Sequence, residues 1–151
     1  MVKSEFKINK VKIQMHLIKN ICKTIYGHLG KGYSESVYQH GLSAALTLNG
    51  IKNVKELTIP VMLYGTQIGT MRADIVLPDH RIVIECKANK RDLDLNNLPQ
   101  IIKYLKALEY NRGLVVNFNQ HAGSDDDLQF ITLERIASEY KIDFSSVAGR
   151  A

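Results

Sequence analysis

The stretch Arg81-Ile82-Val83-Ile84-Glu85-Cys86-Lys87 constrains this chain more than any other. Its consecutive β-branched apolar residues predict a buried strand. At the end of that strand Glu85 and Lys87 stand two apart. A strand repeats every two residues, so both point to one face and Cys86 to the other. A carboxylate and an ammonium at the end of a core strand are costly to desolvate. Taken alone, the pattern also fits a structural ion pair on a half-exposed strand end, and short motifs recur by accident. The remaining residues must supply the partners that would decide between the two.

The segments before this strand read as the first two strands of an antiparallel meander. Residues 54–64 form one, with Pro60 marking a sheet edge or a bulge. A turn at Gly65-Thr66 leads to a second strand over 67–77, and Pro78-Asp79-His80 turns the chain into the Glu85 strand. A turn of two or four residues puts Asp74 on the same face as Glu85. With a four-residue loop from Pro78 to Arg81, Leu77 pairs with Ile82 and Asp74 lies opposite Glu85, with Cβ atoms about 5 Å apart. Facing carboxylates repel unless something positive sits between them. A divalent cation answers that need, and hard oxygens suit magnesium or manganese.

Helices flank the meander. Val11, Met15, Ile18, Cys22, Ile25 and Leu29 recur at steps of four and three, the stripe of a helix over 8–29. Gly30-Lys31-Gly32 breaks it. A second helix then starts around Tyr33 to Glu35, with Ser34 placed to cap it and Asn49-Gly50 to stop it. Its expected apolar face is Val37, Leu42, Ala45 and Leu48. Glu35 and Tyr38 are three apart and share a face, although an acid in a first helical turn is also ordinary dipole chemistry. After the polar stretch 88–94, a third helix runs from Asn96 or Asn97 to Glu109 with Pro99 in its first turn. Ile101, Ile102, Leu105 and Leu108 face the core, and Gln100 and Tyr104 share a face four apart. Asn111-Arg112-Gly113 reads as its stop. Residues 114–118 fit a buried strand set beside the Glu85 strand by a crossover. Residues 128–133 fit a last strand, with a tail from about 141 that frays from Ser145. Asp125-Asp126-Asp127 reads as a solvated acidic loop.

Bulk properties narrow the class. The chain has 151 residues, 45% of them hydrophobic, enough for one globular domain with a real core. No apolar run approaches the length of a membrane span. The N-terminus leads into an amphipathic pattern and not a signal-peptide core. Cys22 and Cys86 both lie in apolar segments, which fits reduced thiols in a cytoplasmic protein. Residues 1–31 carry seven lysines against one acid, Glu5. Such a surface suits a polyanion, although basic helix faces also occur in proteins that bind no nucleic acid. The five histidines have no common zinc spacing, and there is no phosphate-binding loop.

The order helix, three-strand meander, helix, strand, with Asp74 followed by Glu85-x-Lys87, resembles the PD-(D/E)xK nuclease superfamily. Gln100-Ile101-Ile102-Lys103-Tyr104 is similar to the Q-x-x-x-Y motif of its RecB-like branch. Gly32-x-x-Glu35-x-x-Tyr38 resembles the signature of the GxxExxY protein family. Further landmarks of that family are Tyr64-Gly65, Arg72-Ala73-Asp74, Ile84-Glu85-Cys86-Lys87 and Gly113-Leu114-Val115-Val116-Asn117-Phe118. The resemblance spans roughly residues 10–136. It departs in having Ala73 where the superfamily has proline, a residue with no chemical role. The resemblance implies an α/β fold in which helices flank a mixed sheet. It also implies a magnesium- or manganese-dependent nuclease acting on DNA, with RNA left open. Metal ligands would be Asp74, Glu85, the Cys86 backbone carbonyl and Glu35, directly or through water. Lys87 would orient the attacking water, stabilise charge, or act as a base. Gln100 and Tyr104 would line the rim. The alternative is a catalytically silent module that keeps the fold and binds nucleic acid or a protein partner; a homo-oligomer is left open.

Overall fold

The computed structural model describes the chain path over residues 3–121 and 128–147, with side chains over 14–121 and 128–145. The acidic run 125–127 lies outside the described residues. Helices α1 (Lys3–Leu29) and α2 (Glu35–Leu48) precede strands β1 (Val54–Leu63), β2 (Thr66–Leu77) and β3 (Ile82–Lys87). A short 3-10 turn, Leu95–Asn97, leads into α3 (Leu98–Leu108), and β4 (Arg112–Phe118), β5 (Leu128–Ile136) and β6 (Glu139–Val147) follow. The six strands form one sheet in chain order. Only the β3–β4 pairing is parallel, and it is the one joined through a helix. Among the described residues, no helix is long and apolar enough to cross a membrane.

The sheet is buried on both faces because its central strands are apolar on both sides. Ile82, Ile84, Cys86, Leu114, Val116 and Phe118 pack with Ile18, Cys22, Tyr38 and Leu42 on the α1–α2 face. Val83, Val115 and Ile131 pack with Ile101, Tyr104 and Leu105 on the α3 face. The apolar stripe of α1 is seen in Met15, Ile18, Cys22, Ile25 and Leu29; the side chain of Val11 lies outside the described set.

Several expectations need correction. The buried face of α2 is Tyr38, Gln39, Leu42, Ser43 and Leu46, while Val37 and Leu48 are exposed. The helix is turned by about one residue, so that Tyr38, Leu42 and Leu46 are fully buried and Gln39 and Ser43 go in beside them. Ser34 stands at the cap position of α2 with extended backbone, but its side chain makes no capping bond. The third helix ends at Leu108, where Glu109 takes the left-handed conformation at φ 56°. Gly113 is therefore not its stop. The supposed tail pairs instead along β5 as β6, with Tyr140 and Ile142 against the α3-side core.

Gly113 marks the closest approach of β4 to α3. A Cβ there would lie 2.8 Å from Ile101 Cδ1 and 3.3 Å from Leu105 Cδ1. Overpacking at such a contact costs about 1–3 kcal/mol. Gly113→Val is expected to lower stability by that amount in urea titration. Adding Ile101→Val, which removes the Cδ1 methyl, should cost less in that background than in wild type. An unchanged midpoint for Gly113→Val would mean that α3 is not seated on β4 in this way.

Candidate active site

At Asp74 the regular sheet is interrupted on both sides. The β2–β3 ladder runs Leu77↔Ile82, Val76↔Val83 and Ile75↔Ile84, then stops. On the other side, β1 pairs Lys55↔Ile75 and Leu57↔Ala73, stepping over Asp74. The β1 residue stepped over with it, Glu56, has a left-handed φ of 53°, which is unfavourable for a residue with a Cβ. The strand turns here: Ala73 packs in the α3-side core, whereas Ile75, two residues on, packs in the other.

Three backbone groups at this point find side chains, as buried polar groups must. The Asp74 N–H donates to Glu85 Oε1 at 3.2 Å. The Asp74 carbonyl accepts from Gln39 Nε2 at 3.2 Å. In return, Asp74 Oδ2 accepts the Cys86 N–H at 2.9 Å. Asp74 and Glu85 are thus cross-laced, each carboxylate holding a backbone N–H of the opposite strand. The three-residue ladder in register with a four-residue loop brings them to this point from the sequence distance of 11.

Glu35, Asp74, Glu85, Lys87, Gln100 and Tyr104 all line one open cavity of about 630 Å³. Glu35 is in the first turn of α2 and accepts a hydrogen bond from the Ala88 N–H. Lys87 is partly buried at the end of β3. It forms no close ion pair with Glu85: among the described residues the ion pair within 4 Å is Arg112–Glu134. Tyr104 is buried; its hydroxyl donates to the Arg72 carbonyl at 2.7 Å and accepts from Gln100 Nε2 at 2.6 Å. Cys86 points the other way, and burial pushes its thiol well above the ordinary range. Only its backbone faces the carboxylates.

The electrostatics are those of acids crowded together. Glu85 is 3% exposed, and its carboxyl is pushed up to about 8. Desolvation is the larger cause and the Asp74 carboxylate the next; the Asp74 N–H and Lys87 pull the other way. Partial desolvation also raises Glu35, with Lys87 opposing and Asp74 adding to the rise. Tyr104 is raised by burial and then by Glu85.

A divalent cation fits this donor set. The three acids offer hard oxygens on one cavity, and Asp74 and Glu85 each keep one carboxylate oxygen not engaged by a backbone N–H. The three side chains are not drawn into a finished cluster; no group of three or more His, Cys, Asp or Glu among the described residues closes around a point.

Sequence reasoning expects Tyr38 to support Glu35 but misses Gln39, Gln120 and Asn117, which also hold this site in place. Gln39 sits one turn after Glu35, and it is buried together with Ser43 on α2. Gln120 accepts the Gly32 N–H at 2.6 Å and donates to the Tyr38 hydroxyl at 3.1 Å; that hydroxyl donates to the Gly30 carbonyl at 2.6 Å. Tyr38 also stacks on Phe118 at 4.7 Å. Tyr38 therefore braces the turn before α2, where Gly32 has φ 103°. Asn117, fully buried on β4, bonds the Asn89 N–H and the Arg91 carbonyl and so anchors the loop after Lys87.

A mixed sheet with helices on both faces and an acid-lined cavity at the end of its central strands is a fold of the nuclease kind. A family model described as the PD-(D/E)XK nuclease superfamily matches residues 12–129. The chain belongs to that superfamily. No curated protein and no solved structure matched it.

Glu85 ionises near its ordinary 4.5 in the unfolded chain but near 8 in the fold. The folded state holds this proton more tightly, so the resulting stability is full below pH 4.5 and is lost as pH rises through about 8. In chelator, the melting temperature should fall by several degrees between these limits. Glu85→Gln, neutral throughout, should flatten that fall. Parallel melting curves for the two proteins would show that Glu85 is not desolvated as described.

Proposed function

We propose that this protein is a divalent-metal-dependent nuclease that hydrolyses phosphodiester bonds of DNA. The observation that carries this reading is the cross-laced pair Asp74–Glu85, sharing one cavity with Glu35 and Lys87. Asp74 raises the proton affinity of Glu85 and of Glu35, and such neighbours are poor company without a cation. In this reading Asp74, Glu85 and the Cys86 backbone carbonyl hold magnesium or manganese, with Glu35 joining directly or through water. The bound ion would acidify a water and neutralise the phosphate that repels it.

The protein's own groups do the rest. Lys87 projects from β3 beside the acids and orients the water or stabilises charge on the phosphorane. Its four-carbon stem lets the ammonium follow charge as it develops. Tyr104 and Gln100 act as positioning groups: their paired hydrogen bonds fix the Arg72 carbonyl, and with it the part of β2 that carries Asp74. Gln39 performs the same service from the opposite face of the sheet. Tyr38 acts at one remove by bracing the turn that presents Glu35.

The test is cleavage of linear and circular DNA in magnesium, manganese or chelator, with RNA as competitor. Cleavage is expected in metal and not in chelator. Asp74→Ala, Glu85→Gln and Lys87→Ala should each lose roughly 10²-fold or more in rate. Wild type that binds DNA but stays inert in every metal would select the silent binding module. Activity that survives Asp74→Ala would place the chemistry elsewhere.

A further inference from the structure

The cavity wall carries more positive charge than the proposed metal site uses. Beside the three acids and Lys87, it is lined by Arg72 and Lys103. Arg72 lies two residues before Asp74 on β2, and Lys103 lies on α3 immediately before Tyr104. Both are solvent-exposed. Neither is in an ion pair among the described residues, although three carboxylates line the same cavity. The Arg72 main chain is fixed by the Tyr104 hydroxyl, and that hydroxyl by Gln100. Its backbone is anchored while its guanidinium stays uncommitted.

Charge decides what such groups are suited to. Three acids and three bases line the cavity, so their formal charges cancel. A divalent cation among the acids leaves a surplus of two positive charges, and a phosphodiester strand brings one negative charge per nucleotide. Arginine's planar fork suits two-point contact with a phosphate, and a lysine supplies a mobile point charge.

We propose that Arg72 and Lys103 form a clamp on the nucleic-acid backbone, gripping phosphate beside the bond that is cut. The clamp rests on the nuclease reading above and adds to it the path of the strand. That path follows the wall of the cavity made by β2 and α3.

Salt dependence of binding tests the clamp without requiring cleavage. The probe is a fluorescein-labelled single-stranded DNA of about 20 nucleotides, followed by anisotropy in calcium between about 50 and 200 mM salt. Arg72→Gln and Lys103→Gln should each reduce the slope of log affinity against log salt by about 0.7, the value for one lost phosphate contact on a single strand. In magnesium they should raise KM by more than they lower kcat. Arg72→Lys should restore the slope but not the full affinity, since the two-point contact is gone. Lys106→Gln, on the same helix but off the cavity, should leave the slope unchanged. Melting temperatures matching wild type would show that exposed side chains were removed without unfolding. Slopes unchanged in the two cavity variants, or an equal loss in Lys106→Gln, would overturn the clamp. Wild type that shows the expected slopes but cuts nothing in magnesium or manganese would overturn the nuclease reading and leave the clamp standing.

Discussion

Two carboxylates that each hold the other strand's backbone are the constraint on which this structure turns. Asp74 and Glu85 accept the N–H groups of Cys86 and Asp74 where ordinary sheet pairing stops. The exchange solves a backbone problem, because those N–H groups would otherwise be buried unpaired. It creates an electrostatic one, because the Asp74 carboxylate disfavours charge on Glu85, which burial already disfavours. Glu85 meets the repulsion by keeping its proton to about pH 8. A cation would meet it by taking the proton's place. The same contact is thus structurally satisfied and electrostatically incomplete, as suits a site that must receive a charged ligand.

The surrounding fold holds that arrangement from two directions. From the α2 side, Gln39 fixes the Asp74 carbonyl, and Gln120 with Tyr38 fixes the turn that sets Glu35 over the cavity. From the α3 side, Tyr104 fixes the Arg72 carbonyl. Asn117 ties down the loop after Lys87 from the neighbouring strand. The apolar contacts that seat these helices, such as Ile101 over Gly113 and Tyr38 on Phe118, therefore act on the site through the backbone they hold. One strained residue falls in the same place, where Glu56 adopts a left-handed φ beside Asp74.

Much of this was legible in the residues. The strand Ile82–Lys87 announced itself because its core residues are β-branched and its charges fall two apart. The face shared by Asp74 and Glu85 followed from a turn of two or four residues, and the structure takes the four-residue loop Pro78 to Arg81 that pairs Leu77 with Ile82. What misled was local. Gly113 looks like a helix stop, because a sequence does not show that α3 presses on β4 there. Val37 and Leu48 look like core by residue type, but the face that packs is the one carrying Tyr38, Leu42 and Leu46, with two polar residues, Gln39 and Ser43, on it. β6 has the alternation Tyr140, Ile142, Phe144, but interleaved charges and its place at the end of the chain disguise it. The crossed hydrogen bonds of Asp74 depend on a bend in β2 that no spacing records.

The most direct test of the account is a crystal structure with manganese, using anomalous scattering to place the ion. The account predicts a peak bonded to one oxygen each of Asp74 and Glu85, on the side open to Glu35 and Lys87, with the crossed N–H contacts retained. At saturating manganese, a protein with no peak at that position, or with the side chains of Asp74 and Glu85 on opposite faces of the sheet, would contradict it.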